Sequence, residues 1–131
     1  MSLDVPPAIL AQAEAGEVTE ADFVDTVRTS LPYAYQVVAG LSSELGTAAA
    51  ATPFVDDNTT PSDAERGQLL RALASDAIRG SLERHFGVRL AFMNCHRVAA
   101  FRPGTEESDE YRTFTSLRAQ LLNQTPELRS C

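Results

Sequence analysis

Cys95 and His96 are adjacent, and they are the first pair in this 131-residue chain to invite a chemical reading. A thiol and an imidazole act as nucleophile and base when they share a hydrogen bond. Neighbouring residues point to opposite faces of a strand and diverge by about 100° on a helix, so these two do not easily serve each other. His85 could partner either, although nothing in the spacing requires it. Cys95 therefore reads as a buried or turn thiol. His96 is kept as the candidate catalytic acid–base or ligand-binding group, against a histidine satisfied by local hydrogen bonds. Neither Cys-x-x-Cys nor His-x-x-x-His occurs, which disfavours a zinc site. Asp56-Asp57-Asn58 lacks the ligand spacing and glycine of a calcium loop and reads as a solvated loop. No glycine-rich phosphate loop is present, which disfavours nucleotide chemistry. No metal and no cofactor are expected.

Arginine is the second chemical signal. All 11 basic residues are Arg, and there is no Lys. Codon bias towards Arg and Ala explains this most simply. An enzyme handling a reactive alkene would also gain from carrying no competing amine. Residues 1–63 hold ten acids and only Arg28, a net of −9, whereas residues 64–131 hold eight acids and ten Arg, a net of +2. That polarity favours packing one half against the other, within a chain or across a dimer. The arginines read either as partners of the acidic half or as forks gripping a ligand carboxylate in a cleft. On the second reading the candidate substrate-binding residues are Tyr33, Arg71, Asn94, His96 and Arg97, each with a structural reading beside it.

The elements that must position these residues follow from local signals. Pro6-Pro7 opens a short helix that Gly16 stops. Thr19 is a candidate N-cap, with a Val18–Phe23 staple, and Phe23, Val24, Val27 and Leu31 follow at helical spacing. Pro32 must interrupt that helix and restart another, expected from Pro32 to Leu45 and ended by Gly46. Residues 47–61 read as a long connection, pinned by Phe54 and Val55. Ser62-Asp63-Ala64-Glu65 is a capping box opening a core helix whose row is Leu70, Ala74, Ile78, Leu82 and Phe86, with Gly87 as its stop and Arg79–Glu83 paired on its outer side. Val88, Leu90 and Phe92 alternate, residues 94–97 could turn, and 98–101 could return, giving a short β-hairpin around 88–102. Leu90, Met93, Arg97 and Phe101 also suit a helix. A last amphipathic helix is expected over about 108–124, with Tyr111, Phe114, Leu117, Leu121 and Leu122 inward and acids enriching its start. A final turn begins near Pro126.

These expectations describe a single domain over 1–131, mainly α and helix-rich, long enough for one modest core and too short for two independent ones. No apolar run approaches the roughly 18 residues of a membrane span. Met-Ser-Leu-Asp-Val-Pro-Pro lacks the basic start of a signal peptide. Two cysteines, Cys95 and Cys131, make no disulfide scaffold, so a cytoplasmic protein is expected. A net charge of −7 argues against a nucleic-acid partner.

Ser-Leu-Pro-Tyr-Ala (30–34), Arg-Gly-Gln-Leu-Leu-Arg-Ala-Leu-Ala-Ser-Asp-Ala-Ile-Arg-Gly (66–80) and Arg-Leu-Ala-Phe-Met-Asn-Cys-His-Arg-Val-Ala (89–99) give the chain a resemblance. It is similar to small, acidic, lysine-poor proteins of antibiotic-producing bacteria, among them the lysinoalanine-forming enzymes of duramycin- and cinnamycin-type lanthipeptide biosynthesis. That resemblance implies an intertwined homodimer, a modified peptide substrate and a macrocyclisation in which a substrate Lys amine adds to a dehydroalanine. It also implies that a hydroxy-aspartate of the substrate serves as base. Preorganisation would carry such a reaction, since holding both reacting ends together contributes roughly 7–11 kcal/mol. The alternative is a non-catalytic dimeric regulatory or peptide- and protein-binding module.

Overall fold

The computed structural model describes residues 2–93 and 96–122. Among these, seven helices accompany one three-stranded antiparallel sheet, so the chain is mainly α with a small β element. Helix α1 is Pro7–Glu14, and Gly16 follows at φ +72°, the left-handed conformation that favours glycine. Helix α2, Glu20–Ser30, is capped by the Thr19 hydroxyl, which accepts from the Asp22 N–H. Leu31 separates it from α3, Pro32–Thr47, two residues longer at its end than its apolar pattern predicts because Gly46 stays helical. Pro32 removes one donor from the start of α3. Gln68 supplies an acceptor for two more, its Oε1 taking the N–H of Tyr33 at 2.7 Å and of Ala34 at 3.3 Å. At the other end Arg102 donates to the carbonyls of Leu45, Ala49 and Thr52.

The 47–61 connection contains strand β1, Phe54–Asp57. Four residues with two terminal acids carry no alternation signal, and the strand exists because a later segment pairs with it. The capped segment is two helices rather than one: α4, Asp63–Leu73, and α5, Asp76–Phe86. The Ser62–Glu65 capping box is present. The break arises at Ser75, whose hydroxyl accepts from the Ile78 N–H and starts a new helix. Leu70 is consequently exposed, and the buried positions are Leu69, Ala72 and Leu73, then Ile78, Ser81 and Leu82. Arg79 turns back to the Leu73 carbonyl and Asp76 instead of pairing with Glu83. Glu83 accepts the outward N–H of Leu90 at 2.8 Å. Gly87 ends α5 at φ +66°.

Strands β2, Arg89–Met93, and β3, Arg97–Phe101, form the expected hairpin. Sheet order is β1-β3-β2, with Phe54 opposite Phe101 on one side of β3 and Arg89 opposite it on the other. Alternation along the strands then sorts two cores. Leu90, Val98 and Ala100 face the helices α2–α5 and join Val27, Val38, Leu69, Ile78 and Leu82. Ala91, Met93, Ala99 and Phe101 face the other way and meet Phe114. The expected last helix is also divided, into α6, Asp109–Phe114, and α7, Leu117–Leu122. Thr115 bonds back to the Tyr111 carbonyl and the Ser116 hydroxyl accepts from Ala119 N–H, so two hydroxyl residues close one helix and open the next. Leu117, Leu121 and Leu122, expected inward, are 86%, 73% and 65% exposed. The proposed turn near Pro126 lies outside the described residues.

Candidate binding groove

The outer face of the sheet builds the most apolar concavity. Phe54 stacks on Phe101 with ring centroids 4.7 Å apart, and Phe114 meets both edge-on at 6.1 and 5.7 Å. Phe101 is fully buried at the centre of this cluster, and Tyr111 packs against it at 5.1 Å. The nearby Tyr111 side chain is the main influence that raises the Arg89 pKa above the ordinary guanidinium value. Arg97 bridges to the Asp56 carboxylate of β1 at 2.8 Å, while its guanidinium lies 5.0 Å above the Phe114 ring. Such a stack strengthens when it is partly shielded from water.

Between this cluster and α6–α7 lies a groove of about 340 Å³, floored by Phe54, Met93, Phe114 and Ala119. Arg97, Asp109 and Glu110 form its polar rim. A second hollow of about 300 Å³ continues from it past Met93 and Phe114 to Phe92, Leu117 and Gln120. Apolar floors with a few polar groups at the edge are the usual form of a binding site.

A larger groove of about 560 Å³ lies on the opposite side of the sheet, between α3 and the segment 56–59. Tyr33, Gln36 and Glu44 face Asp56, Asp57 and Asn58 across it. Asp57 accepts the Thr59 N–H, and Asp56 serves Arg97. Burial pushes the Tyr33 hydroxyl pKa up, and the nearby Glu65 and Asp57 charges push it further in the same direction.

The sequence-derived candidates are distributed over these places. Tyr33 lines the α3–β1 groove and Arg97 the outer-face groove. His96 is 4% exposed, beside the start of β3. Arg71 is on α4, half-buried, and lines neither groove. Asn94 lies outside the described residues, as do Cys95 and Cys131. Phe54 is open to reading as an apolar wall, and it lines the outer-face groove; Met93, Phe114 and Ala119 carry no chemical signature in sequence, and only the hydroxyl pair Thr115-Ser116 marks where the last helix turns to form the groove wall. Among the described residues, no three His, Cys, Asp or Glu side chains gather to hold a metal, and no helix is long and apolar enough to cross a membrane.

No curated protein and no solved structure matches the chain. The chain belongs to the family described as NucS shadow ORF, whose label also carries the letters KH, and the match spans residues 1–131.

Proposed function

We propose that this member of the NucS shadow ORF family is a non-catalytic interaction module of the cytoplasm, which takes an apolar segment of a partner into its outer-face groove. One observation carries the reading. The groove floored by Phe54, Met93 and Phe114 runs directly into a helix that holds three leucines in solvent. Large apolar side chains clustered at a concave surface mark interaction sites, whereas single exposed ones are ordinary.

Two other readings have less support. A lanthipeptide-maturing enzyme would need its binding residues around one guest, yet Tyr33 and Arg97 line grooves on opposite faces of the sheet. A nucleic-acid module is suggested by the KH letters of the family label, since KH domains clamp nucleotides through a Gly-x-x-Gly loop. The helix pair between β1 and β2 would be the place for that loop. Its junction here reads Leu73-Ala74-Ser75-Asp76, and no Gly-x-x-Gly occurs anywhere in the chain.

The test uses the dye 8-anilinonaphthalene-1-sulfonate, which reports exposed apolar surface. Saturable fluorescence is expected with the native protein at dilutions where it is monomeric, and Leu117→Asp should reduce it with the circular dichroism spectrum unchanged. Failure of the folded protein to bind the dye when diluted to the monomer overturns the module. A parallel incubation with dehydrated, hydroxylated lanthipeptide precursor separates the enzymatic alternative. Thiol trapping of dehydroalanine should persist, and its disappearance would establish catalysis instead.

A further inference from the structure

We infer that the partner is a second copy of this chain, joined through a two-fold contact in which α7 of each copy lies against the groove of the other. The inference rests on the groove reading above and names its occupant. A two-fold interface must be self-complementary, with one patch offering both halves of every contact. This patch does so. Leu117 and Leu121 are one turn apart and form an apolar row, and the hollow lined by Met93 and Phe114 lies immediately beside them. Arg118 and Leu122 form the adjacent row of the same helix.

Charge supplies the argument for a copy over any other apolar partner. Arg118 makes no ion pair among the described residues, and neither do Asp109 and Glu110 at the groove rim. A two-fold axis beside α7 carries the Arg118 guanidinium of each copy towards the Asp109 and Glu110 carboxylates of the other.

Sedimentation equilibrium over a dilution series tests this. The native protein should reach twice the 14.2 kDa of one chain. Because each substitution acts twice in a two-fold contact, Leu121→Asp should weaken association by about 100-fold or more. Arg118→Glu alone and Glu110→Arg alone should each weaken it by about tenfold. Mixing these two variants restores opposite charges at both rims, so a heterodimer should recover. A dimer indifferent to all three substitutions, or a mixture with no recovery, overturns the inference. A monomer at every concentration also overturns it, and the dye then tells which idea has failed. Fluorescence lost in Leu117→Asp leaves the groove reading standing with a different partner, whereas no fluorescence removes both.

Discussion

At the scale of single residues, an arginine that looks chemical in the sequence can instead hold the fold together. Arg97 cannot be distinguished from a carboxylate-gripping arginine by its position in the chain, because its partners are distant in sequence: Asp56 on another strand and Phe114 on a helix. Arg102 holds the end of α3 through its Nε and one terminal nitrogen, and Gln68, whose type carries no chemical signal, caps the start of that helix. Tyr33, a substrate-binding candidate from its sequence position, does line a groove. Its raised pKa has a consequence for stability. The unfolded phenol ionises near pH 10, below the folded one, so the stability it contributes is fully present under that pH and is lost as pH rises through the folded value. Tyr33→Phe should therefore lessen the fall in stability above about pH 10. Urea midpoints compared at neutral and alkaline pH measure this, and identical alkaline losses in both proteins would contradict it.

At the scale of elements, starts and stops were written more plainly than continuity. Thr19, Ser62, Gly16 and Gly87 act where local chemistry places them, since capping depends on a side chain and the three residues beside it. Both failures of the helical pattern came from serine or threonine inside an unbroken apolar row. Ser75 and the Thr115-Ser116 pair satisfy backbone groups locally, and this wins over the i, i+4 row that would otherwise run through them. The Ser75 cap is worth about 1 kcal/mol by analogy with other N-caps. Ser75→Ala should lower the unfolding free energy by about that amount. Chemical denaturation with an unchanged m-value checks it, and an unaltered midpoint would show that α5 starts without help.

At the scale of the whole molecule, the helical class and the hairpin were readable, while the layering was not. The sheet lies between α2–α5 and α6–α7, and β1 belongs to it only through pairing with β3. A four-residue strand that ends in two aspartates has no pattern of its own from which to predict that pairing. The groove shares this origin, because its floor joins residues from β1, β2 and α6. Phe101 sits where those elements converge and is fully buried. Phe101→Ala should cost about 3–5 kcal/mol, a large share of the 5–15 kcal/mol typical of a domain. Tyrosine fluorescence and far-ultraviolet circular dichroism should lose structure together in this variant. Separate transitions would mean that the α6 side unfolds independently of the helical layer.

Placing β3 in the middle of the sheet also sets a timetable for synthesis. β1 and β2 never touch as neighbours, so a nascent chain that has reached only Phe92 possesses two strands and no ladder between them. Helices α2 to α5 can gather while translation continues, but every strand hydrogen bond waits for Arg97–Phe101 to leave the ribosome. Premature termination in the hairpin would thus release a helical fragment with a bare apolar side, the kind of product that quality-control proteases remove.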